Sequence, residues 1–119
     1  KTREKNFKVF LNSAKKNKEL LYPRLSHMSL ISNFAFPVVC KSKKYFQLLT
    51  KTFKKYNIEI RPIISGNILK QPFIKQYLNQ TSKMLKNSNY LHEKAFYFPN
   101  NPDLNDEEIK RICFILENV

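Results

Sequence analysis

The sequence predicts one α+β domain with about three strands and flanking helices. Three observations lead there. The chain has 119 residues, the length of one domain. Three segments rich in Ile, Val, Phe and Tyr, "LISNFAFPVVC", "NIEIRPI" and "AFYFPNNP", read as strands. Around them, apolar residues recur at helical spacing. Hydrophobic residues make up 42% and aromatics 13%, enough to build a core and to exclude a disordered chain.

Each element has its own local reason. Residues 3–20 read as a helix, because Phe7, Phe10, Leu11 and Ala14 fall on one stripe. Pro23 would stop it by pushing Tyr22 out of the α region. The first strand is expected between Leu30 and Cys40. Pro37 inside it lacks an amide donor and predicts an edge or a bulge. Ser42 caps a second helix over about 43–56, with Phe46, Leu49, Phe53 and Tyr56 as its apolar face. Asn57 makes the turn into a strand carrying Ile58, Ile60 and Ile63. Gly66 is the only glycine of the chain and marks a turn that needs positive φ. Pro72 suits the first position of a short helix. "TSKMLKNSNYLHEK" reads as a short helix or an irregular connection, before the third strand. In the last helix Asn105 is the N-cap and Glu108 the N3 residue, a capping-box pattern, with Leu104 placed to staple onto Ile109. Ile109, Ile112, Cys113 and Leu116 form its buried face.

Charge is the most unusual number. Lys and Arg total 22 against 9 Asp and Glu, a net +13. Eighteen of the 22 are Lys, while phosphate forks and base readout favour Arg. Thirteen Asn, ten Ile and a single Gly accompany them, the footprint of an AT-rich coding genome. Charge from that source spreads over solvated faces, and no nucleic-acid partner is expected. No apolar run approaches the ~20 residues of a membrane span. The charged N-terminal residues lack the apolar stretch of a signal peptide. Cys40 and Cys113 are single, far apart and set in apolar stretches, so they read as small buried hydrophobes in a cytoplasmic protein.

One glycine cannot make a Walker or a dinucleotide-binding loop, and no GxSxG or HExxH occurs. His27 and His92 lie in different segments, without metal-ligand spacing. One segment does suggest binding. In "IEIRPIISGNILKQPF", Arg61 ends an apolar strand and a polar loop follows with Ser65, Asn67 and Gln71. A cation beside amide side chains suits an anionic or polyhydroxyl ligand. The same residues also suit an ordinary turn around Gly66.

The run "NIEIRPIISGNILKQPF" followed by "NSNYLHEKAFYFPNNPDLNDEEIKRI" resembles the C-terminal domain of the DegT/DnrJ/StrS family of pyridoxal-phosphate (PLP) enzymes, the nucleotide-sugar aminotransferases and dehydratases. "REKNFKVF" resembles the helix leaving their large domain, and "SNFAFPVV" their first small-domain strand. The "SGN" form at Ser65–Asn67, with Gln71 and Pro72 after it, is most similar to the branch containing the 4-keto-6-deoxyhexose 3-dehydratases. The resemblance implies the small C-terminal domain of a fold-type I PLP-dependent transferase, with residues 1–20 as a linker helix from a large cofactor domain and 21–119 as the small domain. It implies PLP or PMP bound by that missing large domain, a nucleotide-sugar substrate and a homodimer. It also implies transamination or C3 dehydration, with no catalytic residue in this segment. The loop after the second small-domain strand would contact substrate through Asn67, with Arg61, Gln71 and His92 as further candidates. An isolated piece of such an enzyme would expose Phe7, Phe10 and Leu11. A non-catalytic basic binding or scaffold domain is the alternative, motivated by the Lys clusters at 15–18 and 41–44.

Overall fold

The computed structural model describes residues 1–64, 66–77 and 85–119. Helix α1 (Thr2–Lys16) leads to strand β1 (Leu20–Leu21), then β2 (Ala35–Cys40) and α2 (Lys43–Lys55). Strand β3 (Arg61–Pro62) is followed by two 3-10 turns, Ile68–Lys70 and Pro72–Gln76. Helix α3 (Lys86–Lys94) runs directly into β4 (Ala95–Pro99), and α4 (Asp106–Asn118) follows. The strands form one antiparallel sheet in the order β1-β2-β4-β3. The α+β architecture is the expected one, with a fourth strand, β1, too short to read from sequence.

The register explains the core. Phe36 pairs with Phe98 and Val38 with Phe96, and directly opposed residues share a face. That face meets the helices. Phe7 and Phe10 of α1 lie 5.0 and 5.8 Å from the Phe36 ring, Phe10 lies 5.1 Å from Phe98, and Phe53 of α2 lies 5.3 Å from Phe96. Leu49, Ile112, Ile115 and Leu116 complete the cluster. Phe7 and Phe10, expected to stand exposed, are 1% and 0% accessible, and Leu11 is half-buried against the same cluster. They are covered because α1 packs on both the sheet and α4.

Several boundaries move, each for a long-range reason. α1 stops at Lys16, not near Leu20, because Leu20 and Leu21 pair with Cys40 and Val39. Asn17 is then drawn inward. Its Nδ2 donates to Tyr45 Oη at 2.6 Å and to Leu116 O at 2.8 Å, so one amide joins α1, α2 and α4. β2 begins at Ala35, and Leu30 is exposed. β2 is a central strand, yet β1 covers only Val39 and Cys40. The flank at Pro37 therefore has no β1 neighbour, which suits a residue without an amide proton. β3 shrinks to two residues, with Arg61 starting it. In α2, Tyr45, Leu49 and Phe53 are buried, and Tyr56 is the exposed C-cap residue.

The local predictions appear as read. Ser42 Oγ accepts from the Tyr45 amide at 3.1 Å. Asn57 has φ 56 and Gly66 φ 46. In α4, Asn105 Oδ1 accepts from the Glu108 amide while Glu108 Oε2 accepts from the Asn105 amide, both at 2.9 Å. No described helix is long and apolar enough to cross a membrane.

Candidate functional site

The sheet face away from the core carries Pro37, paired with Tyr97, and Ala35, paired with Pro99. Arg61 is also in register with Tyr97 and therefore shares that face. Pro37, Tyr97 and Pro99 are half-buried, while Phe34 and Ile64 at the rim are 62% and 68% exposed. Phe34 stands edge-on to Tyr97 at 6.0 Å. A hollow of about 290 Å³ is lined there by Phe34, Pro37, Ile63, Ile64 and Tyr97 among others. Arg61 lines an adjoining hollow of about 260 Å³ with Phe34, Glu59, Tyr97 and Pro99. Its guanidinium is held by Glu59, with Nε and Nη2 each 2.8 Å from Oε1, which raises the guanidinium pKa further.

Asn67 is placed differently. It is fully buried, and its polar atoms are engaged within the protein. Its Oδ1 caps the first 3-10 turn by accepting from the Leu69 amide at 3.0 Å. Its Nδ2 donates to Asn89 Oδ1 on α3 at 2.6 Å, and its backbone amide donates to His92 Nδ1 at 3.5 Å. Gly66 lies flat on the same imidazole. A Cβ on Gly66 would stand 2.5 Å from His92 Nδ1, so both the positive φ and the close approach call for glycine. Lys70 adds a third tie to α3 through Glu93 at 2.9 Å, and this hydrogen-bonded cation pulls the Glu93 carboxyl below the usual range.

The four sequence candidates thus fall into two neighbouring places. Arg61 and His92 both line a groove of about 460 Å³ between α2, β3 and α3, with Lys54 and Thr50 on its helical wall and Ile60 and Phe96 among its apolar residues. His92 is exposed, and its Nδ1 faces the Asn67 amide. Gln71 is half-buried at the C-cap of the first turn, on the same loop as Asn67. Ser65 lies outside the described residues. Sequence reasoning missed Asn89, because one Asn among thirteen in a polar helix gives no signal. The arrangement offers hydrogen-bond donors beside apolar surface. It contains no nucleophile–base pair, and no group of three metal-ligating side chains exists among the described residues. Nor do the described residues fit PLP: no lysine whose side chain is described is buried, and the one glycine turn packs on His92.

The described residues thus form a half-open sheet with helices on one face and a hydrogen-bonded loop at its edge. The model of the DegT/DnrJ/EryC1/StrS aminotransferase family matches residues 1–117, and the chain belongs to that family. Among solved structures it is similar to E. coli GDP-4-keto-6-deoxy-D-mannose-3-dehydratase with bound hydrated PLP, at 25% identity and a TM-score of 0.79. It is equally similar to a GDP-4-keto-6-deoxymannose-3-dehydratase holding a trapped PLP-glutamate geminal diamine, again at 25% identity and a TM-score of 0.79. Each likeness covers 97% of this chain but only 30% of the dehydratase chain. Curated proteins gave no match.

Proposed function

We propose that this chain is the C-terminal domain of a PLP-dependent enzyme that modifies nucleotide-linked 4-keto-6-deoxy sugars, by transamination or C3 dehydration. The observation that carries the reading is the coverage: 97% of this chain matches 30% of the chain in two solved structures of such dehydratases. In this reading residues 1–20 lead from a large domain and residues 21–119 form the small one. The large domain holds PLP or PMP, since the described residues here provide no site for it. The half-open sheet face, with Phe34, Ile64 and Tyr97, faces that domain and helps to shut water out of the cleft between them. Arg61, Asn67, Gln71 and His92 serve the nucleotide sugar. Arg61 supplies charge, His92 a ring N–H, and the buried Asn67 acts by shaping the loop that Gln71 ends. The enzyme works as a homodimer in the cytoplasm and serves surface polysaccharide or glycan synthesis.

The test is an absorption spectrum of the full-length gene product, with and without added PLP and an amino donor. A bound-cofactor band discharged by the donor supports transamination. PLP or PMP held without a covalent link to lysine supports dehydration. No cofactor at full length overturns the enzyme reading and favours a basic binding or scaffold domain, for which α2 exposes Lys43, Lys44, Lys51, Lys54 and Lys55.

A further inference from the structure

We propose that Asn89, on α3, is a positioning residue that sets the shape of the 66–71 loop. The inference rests on the functional reading above for its effect on substrate, though not for its structural part.

The argument starts from burial. Asn67 is 0% accessible, so each of its polar atoms needs a partner inside the protein. Leu69 satisfies its oxygen locally. Asn89 Oδ1, 2.6 Å away, takes a proton of its amide nitrogen. With that acceptor removed, a buried donor is stranded, and the simplest relief is for Asn67 to swing outward. The turn it caps would swing with it, because Asn67 Oδ1 holds the Leu69 amide and Asn67 O accepts from the Lys70 amide at 3.0 Å.

The hydrophobic cluster does not oppose that swing. None of residues 66–71 belongs to it, and Ile68 is 45% exposed. Among the described residues the loop is tied to α3 at four points: Asn67 to Asn89, the Asn67 amide to His92, Gly66 against the His92 ring, and Lys70 to Glu93. Of these, Asn67–Asn89 is the shortest. The Lys70–Glu93 pair is solvent-exposed and contributes little. Asn89 thus transmits the position of α3 to a loop that adjoins Arg61 in sequence, without itself lining the grooves described above.

In the full-length enzyme carrying this chain, Asn89→Leu removes the acceptor at similar side-chain volume. The expected result is a KM for the nucleotide sugar raised about tenfold, with kcat held within about twofold. Asn89→Asp keeps an acceptor oxygen and should bring KM back to within about threefold of the parent. A parental KM in Asn89→Leu overturns the proposal. So does equal damage in both variants, or a fall in kcat and Tm with KM unmoved. Should Asn89→Leu fail to fold, Gly66→Ala displaces the same loop from its other contact, and a parental KM there is equally fatal. Hydrogen exchange across residues 66–71 needs no turnover. Faster exchange in Asn89→Leu than in Asn89→Asp supports the positioning role, and identical exchange overturns it. A parent that turns over no nucleotide-linked sugar sinks the enzyme reading alone, since the exchange result still decides the role of Asn89.

Discussion

The helical side of the sheet and the segment from Arg61 to Tyr77 are built by different forces. On the first, Phe7, Phe10, Phe36, Phe53, Phe96 and Phe98 interlock in tilted and edge-on pairs, and Phe98 alone meets rings from α1, β2 and α2. In the second, Asn67 is the one buried residue among those described, and hydrogen bonds tie it to α3. Buried aromatic surface resists change cooperatively, whereas a hydrogen-bonded loop can change shape without unfolding the whole. A surface that must adapt to a substrate or a neighbouring domain belongs on the second kind of structure.

The contrast can be broken most forcefully in the core. Phe98→Ala removes a ring that touches Phe10, Phe36 and Phe53, and should cost about 3–5 kcal/mol in denaturant unfolding. A loss below about 1 kcal/mol would mean that the cluster is no more cooperative than the loop. Next in size, Asn105→Ala opens the capping box of α4 and should lower stability by about 1 kcal/mol, seen as a shifted midpoint with an unchanged m-value. The smallest effect sharpens the loop side. Lys70 holds the Glu93 carboxyl below its usual range, so this tie is complete above the unfolded carboxylate pKa and is lost as pH falls through the lower folded one. An NMR titration should find Glu93 titrating below an ordinary Glu, and Lys70→Ala should move it back up while global stability barely changes. An unmoved Glu93 midpoint would remove Lys70 from the loop's ties.

The same contrast governs what could be read in advance. The caps at Ser42 and Asn105, the turn at Asn57, the positive φ at Gly66 and the buried stripes were legible, because each is decided within a few residues. The end of α1 was not, since Asn17 leaves the helix to serve Tyr45 and Leu116, which are remote in sequence. β3 is short for a similar reason. Its pairing partner is β4, and only Arg61 and Pro62 reach it. At the candidate site, Arg61, Asn67, Gln71 and His92 were singled out by residue type and by resemblance. Their arrangement was not legible: Arg61 on the half-open face, Asn67 turned inward, His92 on a helix. That is fixed by register and by Asn89, neither of which leaves a mark on sequence spacing.

Both outer strands of the sheet, β1 and β3, are two residues long, and β3 contains Pro62. A second polypeptide approaching along β1 or β3 finds only two residues of strand to extend, and at Pro62 no N–H at all. For a chain with ten Phe and ten Ile this matters. Its longest strands, β2 and β4, sit in the middle of the sheet, each bordered on the outside by only two paired residues.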